Sequence, residues 1–204
     1  MNHTLKQRPA SATRPADAQR VISPQRLAHV VLRSSQLQAL VDWYTTVLGA
    51  TVAFSDGNLA FLSYDEEHHR IAVLNISGLQ RQPEGVTGVH HMAFTYATLS
   101  DLVCTYERLA EAGICPVTCM NHGPTTSMYY ADPDGNQVEL QVDNYDSVEE
   151  AGKFFYSPAF AMNPIGVDFE PQDLAKRFYA GEDEVSIKMR PESGARGLDS
   201  LNLR

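Results

Sequence analysis

The feature that most constrains what this chain can fold into is an order of elements that occurs twice. "RLAHVVLR" (26–33) is a β-branched, strand-like run. "SSQLQALVDWYTTVLG" follows, with Leu37, Leu40, Val41, Tyr44 and Leu48 at helical spacing, Ser34 or Ser35 as cap and Gly49 as stop. Three more strand-like runs come next, "ATVAFS", "LAFLSY" and "HRIAVLNI", the first two joined by the hairpin signal "DGN". Residues 88–143 repeat this order. "GVHHMAFTY" is a strand and "LSDLVCTYERLAEAG" a helix with Ser100 as cap and Gly113 as stop. "CPVTCM", "TSMYYA" and "NQVELQV" supply the remaining strands, the last two joined by the turn "DPDGN". His29 and Tyr44 are separated by the same number of residues as His91 and Tyr106. The repeat predicts an α+β fold of two paired βαβββ modules, 26–79 and 86–146. A doubly wound sheet would instead alternate single strands with helices.

Composition bounds the rest. A chain of 204 residues, 43% hydrophobic, suits one globular body with a substantial core. Its formal net charge of −9, with no cluster of Lys and Arg in the body, excludes nucleic acid as a partner. No apolar run approaches the roughly 20 residues that span a bilayer, and no membrane partner is expected. Cys104, Cys115 and Cys119 are odd in number and lack zinc-knuckle spacing, so free thiols in a reducing cytoplasm are expected. Residues 1–25 are polar and proline-containing with no apolar core, which predicts a disordered tail rather than a secretory signal.

Beyond the modules, 147–189 reads as a helical extension, with Ser147 capping one helix and Pro171 opening another. Its aromatic residues predict packing against the body. Residues 190–204 are expected to form a flexible tail.

Two adjacent histidines in "GVHHMAF" cannot do the same work, because neighbouring side chains on a strand point to opposite faces. His29 lies in the first strand of module one and His91 in that of module two. On the last strand of module two Val138, Leu140 and Val142 form one face, while Gln137, Glu139 and Gln141 form the other. A carboxylate there needs a cleft or a cation, since an unpaired buried charge is costly. If the modules pair as related halves, their first strands meet near the axis and bring His29, His91 and Glu139 together. Two imidazoles and one carboxylate form a facial triad with open positions, suited to Fe(II), with Mn(II) the nearest substitute. Singly, each residue also has an ordinary structural reading.

"LAHVVLR…WYTTVLGA", "EEHHRIAVLN", "GVHHMAF" and "NHGPTTSMYYADPDGNQVELQVDN" resemble the vicinal oxygen chelate (glyoxalase/bleomycin-resistance/dioxygenase) superfamily. More closely, they are similar to its one-domain type I extradiol dioxygenases, the 2,3-dihydroxybiphenyl 1,2-dioxygenase-like group. The resemblance covers roughly Arg26 to Ala180 and implies a cup-shaped mixed sheet around a metal site. It implies His29, His91 and Glu139 as iron ligands, with His90 a structural residue facing away. By the same resemblance His69 is the general base and acid beside the metal, and His122 and Tyr129 contact substrate oxygens, with Tyr130 the alternative to Tyr129. The segment between His69 and His91, including the loop "SGLQRQPEGVTG", is longer than in two-domain relatives and bears on the place of His69 and the pocket mouth.

The activity so implied is opening of a catechol-type diol by O2, with an Fe(II) cofactor (or Mn(II)) and a homodimer or higher homo-oligomer. The alternatives are another metal-dependent enzyme of the superfamily, an isomerase or thiol transferase, and a non-catalytic small-molecule-binding protein of the same fold.

Overall fold

A computed structural model describes residues 21–83 and 85–200. The tail expected over 1–25 lies outside the described residues except for 21–25, which carry no helix or strand. Module one runs β1 (Val30–Ser34), α1 (Leu37–Leu48), β2 (Thr51–Ser55), β3 (Leu59–Ser63) and β4 (Ile71–Asn75). Module two runs β5 (His91–Tyr96), α2 (Leu99–Glu111), β6 (Thr118–Asn121), β7 (Thr125–Ala131) and β8 (Gln137–Asp143). Each makes its own mixed sheet, in the orders β1-β4-β3-β2 and β5-β8-β7-β6. In both, the first strand pairs parallel with the fourth and the others pair antiparallel. The identical topology is the structural counterpart of the repeat in the sequence.

Helix periodicity explains how each module closes. Leu37, Leu40, Val41, Tyr44 and Val47 on α1 bury against Ala60, Leu62, Ile71 and Val73. Leu99, Leu102, Val103, Tyr106 and Leu109 on α2 bury against Met128, Tyr130, Val138, Leu140 and Val142. The two sets merge into one core, so one face of each sheet is apolar and helix-covered. Caps differ from expectation. Thr98, rather than Ser100, caps α2 by accepting from the Asp101 N–H, and Gln36 is the N-cap residue of α1, with no side-chain cap bond.

The modules are tied through their helices and turns. Tyr44 donates to Asp132 (3.1 Å), Gln36 to Asp134 (2.6 Å) and Arg108 to the Thr46 carbonyl (2.6 Å). Tyr64 meets Phe94 edge to face at 5.6 Å between ring centres. β1 and β5 are each the terminal strand of a separate sheet.

The extension contains α3 (Val148–Phe154), α4 (Pro158–Met162), β9 (Val167–Asp168), α5 (Pro171–Tyr179) and α6 (Glu184–Lys188). Ser147 caps α3 and Pro171 opens α5, as expected. β9 adds to β6 and widens the second sheet to five strands. Residues 190–200, expected as a flexible tail, are laid along this extension. Arg190 donates to the Asn163 carbonyl (2.8 Å) and Arg196 pairs with Asp168 (2.8 Å). Two guanidinium groups with fixed acceptors are what hold the segment down.

Candidate functional site

The candidate residues of module two lie on the face of the second sheet opposite the helices. Strand alternation sends Met128 and Tyr130 of β7, and Val138, Leu140 and Val142 of β8, into the core. It leaves Ser127, Tyr129 and Glu139 on the other face. Tyr129 stands opposite Glu139 in the register, and Glu139 is also beside Ala93 of β5. This decides between the two tyrosines. Tyr129 belongs to the site face, where it packs with Met120 and Ile165, and Tyr130 belongs to the core.

His91 begins β5, and its Nε2 lies 2.9 Å from a Glu139 carboxylate oxygen. Its Nδ1 lies 2.7 Å from Nδ1 of His90, so one of these nitrogens donates and the other accepts. His90 is therefore a ring partner of His91 rather than a residue turned away from it. Glu139 is buried, which alone would raise its pKa. Hydrogen bonds from His91 and Ser127 overcome that and hold it below the ordinary carboxylate value.

His122 follows β6. Its Nδ1 meets the carbonyl of Ile165, and its Nε2 lies 2.7 Å from the Tyr129 hydroxyl. Burial lowers the His122 pKa, so the ring is neutral near pH 7. A carbonyl only accepts, so Nδ1 carries the proton and Nε2 presents its lone pair to the Tyr129 O–H. Burial also raises the Tyr129 pKa, and the neighbouring Glu139 carboxylate raises it further, keeping the hydroxyl a donor. The Tyr129 ring stands edge-on to both His91 (5.3 Å) and His122 (6.0 Å).

His29 and His69 form a separate pair on module one. Their rings lie 4.4 Å apart, His69 stacks on Phe61 at 4.6 Å, and its Nδ1 is 2.6 Å from that of His68. His29 is exposed, one residue ahead of β1. Burial, then His29 and His68, lower the His69 pKa. Of the six residues expected at the site, His91, Glu139, His122 and Tyr129 are thus brought together, and His29 and His69 sit with each other. Among the described residues no group of three or more His, Cys, Asp or Glu side chains is placed to hold a metal ion.

The His91–Glu139 spacing nevertheless fits a cation. Two donors each about 2.1 Å from a metal and at right angles are about 3.0 Å apart, close to the observed separation. An imidazole and a carboxylate are also the donor types a first-row divalent metal takes.

Sequence reasoning missed Ser127, Asn163, Arg190 and the Ile165 carbonyl. A backbone carbonyl from a distant turn has no side-chain signature in a sequence. Ser127 had one, its place two residues before Tyr129 on the same strand face.

Residues 26–140 match the Glyoxalase/Bleomycin resistance protein/Dioxygenase superfamily. The chain is 45% identical over 157 residues to a biphenyl-2,3-diol 1,2-dioxygenase 2 of Rhodococcus globerulus, covering 76% of this chain and 83% of the relative. It is 42% identical over 167 residues to a biphenyl-2,3-diol 1,2-dioxygenase 3 of the same organism, covering 81% and 88%. A glyoxalase/dioxygenase crystal structure from Nostoc punctiforme shares the fold at a TM-score of 0.50 and 19% identity, over 61% of this chain and 97% of that one.

Proposed function

The chain belongs to the glyoxalase/bleomycin resistance protein/dioxygenase superfamily and stands among its dioxygenases, and we propose that it is an Fe(II)-dependent extradiol enzyme opening a catechol-type ring with O2. The substrate class is an aromatic vicinal diol of the biphenyl-2,3-diol kind. The observation that carries this reading is one sheet face on which a His91–Glu139 pair at 2.9 Å adjoins a Tyr129–His122 hydrogen bond at 2.7 Å. An isomerase or thiol transferase has use for the first pair, whereas the second suits a substrate with two adjacent ionisable oxygens.

His29, His91 and Glu139 are the residues that would hold iron, His29 being supported by its place in module one, equivalent to His91 in module two. Iron bound there would supply a Lewis acid and a template for the diol oxygens and O2. Tyr129 donates to a diol oxygen and orients the ring. His122 accepts a hydroxyl hydrogen at Nε2, and its Nδ1 stays bound to the Ile165 carbonyl throughout. His69, neutral near pH 7, takes a diol proton and later returns it to an oxygen of the product. Exposed Val31, Val52 and Phe54 on β1 and β2 support a homodimer or larger homo-oligomer, which light scattering would test. Three free cysteines support a cytoplasmic setting. No helix among the described residues is long and apolar enough to cross a membrane.

Protein loaded with Fe(II) under anaerobic conditions should consume O2 in step with biphenyl-2,3-diol and form a yellow ring-fission product. Absence of uptake with Fe(II) and Mn(II) alike, across one- and two-ring catechols, would overturn the reading. His29→Ala should lose more bound iron than His122→Ala, and equal losses would show the ligand set to be wrong. His69→Gln should keep its iron and lose most turnover.

A further inference from the structure

The extension after the second module grips one loop of the site from several sides. Gly123, next to His122, has φ +100°, and a Cβ there would lie 2.3 Å from the Phe154 ring. Gly166 has φ +133°, and a Cβ there would lie 2.8 Å from the Asn121 carbonyl oxygen. Both positions therefore require glycine, for backbone conformation and for close approach. Arg190 donates to the His122 carbonyl (3.3 Å) and to the Asn163 carbonyl (2.8 Å), and its guanidinium lies 5.5 Å from the centre of the Phe154 ring.

Asn163 is the pivot. It is 2% exposed, and every polar atom of its side chain is used. Its Oδ1 accepts from the N–H groups of Ile165 (3.0 Å) and Gly166 (2.8 Å). Its Nδ2 donates to the Gly166 carbonyl (2.9 Å) and to Ser193 Oγ (2.9 Å). These bonds fold residues 163–166 into a turn whose one outward product at the site is the Ile165 carbonyl, which receives the His122 Nδ1 proton.

We propose that Asn163, braced by Arg190, is a positioning residue that acts through the Ile165 carbonyl to hold His122 in the Nδ1–H tautomer, with its Nε2 lone pair facing Tyr129 and the entering diol. The extension is thus part of the reaction's machinery as well as a packing element. Without the carbonyl, the ring is free to rotate or to place its proton on Nε2. Nε2 would then donate to the Tyr129 oxygen and could not accept from the substrate.

The proposal deepens the diol-dioxygenase reading and rests on it for the kinetic arm only. The test uses the full-length protein, first metal-free with 15N-labelled histidine, the His122 signals being assigned by their loss in His122→Gln. Wild type should show His122 protonated at Nδ1 and unprotonated at Nε2. Asn163→Ala should lose that pattern, and its iron-loaded form should lose about 10–100-fold in kcat with wild-type iron content, as expected when the partner orienting a working histidine is removed. Asn163→Asp keeps the acceptor for Ile165 and Gly166 and should restore the nitrogen pattern. Arg190→Ala is measured in the same way and serves alone if the Asn163 variants do not fold. Wild-type nitrogen signals in folded Asn163→Ala, or in Arg190→Ala where that variant stands alone, would overturn the proposal. If wild type itself opens no diol, the dioxygenase reading fails, while the nitrogen pattern still decides this one.

Discussion

Tyr129 and Tyr130 differ by one position and by the whole thickness of a sheet, and removing the hydroxyl of each should have opposite consequences. The Tyr129 hydroxyl donates to His122 Nε2 at 2.7 Å and faces the Glu139 carboxylate. Tyr129→Phe leaves the half-buried His122 Nε2 without its donor, while Glu139 keeps its bonds from His91 and Ser127. Leaving one such group unsatisfied costs about 1–3 kcal/mol. For a body of this size each kcal/mol lowers the melting temperature by about 2–4 °C, so a fall of about 2–12 °C is expected. The Tyr130 hydroxyl is buried, and among the described residues its hydrogen-bond partner is the Met128 sulfur at 4.0 Å, a weak acceptor. Removing a desolvated group with so little to bond to should change stability by less than about 0.5 kcal/mol, or raise it. Urea unfolding of the two metal-free variants measures the difference, and diol turnover after iron loading should fall at least about tenfold in Tyr129→Phe alone. Equal costs for the two variants, or a larger one for Tyr130→Phe, would refute the assignment of faces.

Three further outcomes follow from the same structure. The His122 pKa is lowered by burial, so the unfolded chain binds this proton more tightly. The contribution is complete above the unfolded value near 6.5 and is lost as pH falls. Stability of the metal-free protein should therefore decline from pH 7 to pH 5, and His122→Gln should flatten that slope; an unchanged slope would remove His122 as a source. Burial, aided by Glu170 and Asp168, pushes the Cys119 thiol up to about 12, while Cys104 and Cys115 are exposed. A thiol reagent should label the exposed pair in the native protein and Cys119 only on unfolding; labelling of all three in the folded state would contradict the burial. Leu40, fully buried between α1 and its sheet, should cost about 2–5 kcal/mol on change to Ala, and denaturant melts read that directly.

What the sequence by itself determined is local and periodic. The helical spacing of α1 and α2, the alternation of β7 and β8, and the turn residues between strands gave both modules and the parity that sets Glu139 opposite Leu140. That parity follows from bond geometry within a strand, so it survives without knowledge of any neighbour. Only tertiary structure chose which of two adjacent tyrosines faces His122, because both are aromatic and either would fill a core. It also set His29 against His69 and His91 against Glu139. The relative position of the modules depends on contacts such as Tyr44 with Asp132, far apart in the chain and without any period. The grip of Asn163 and the Ile165 carbonyl on His122 is of the same kind. A backbone atom brought in by a distant turn leaves no pattern among the residues, because its identity as an acceptor is common to every position in the chain.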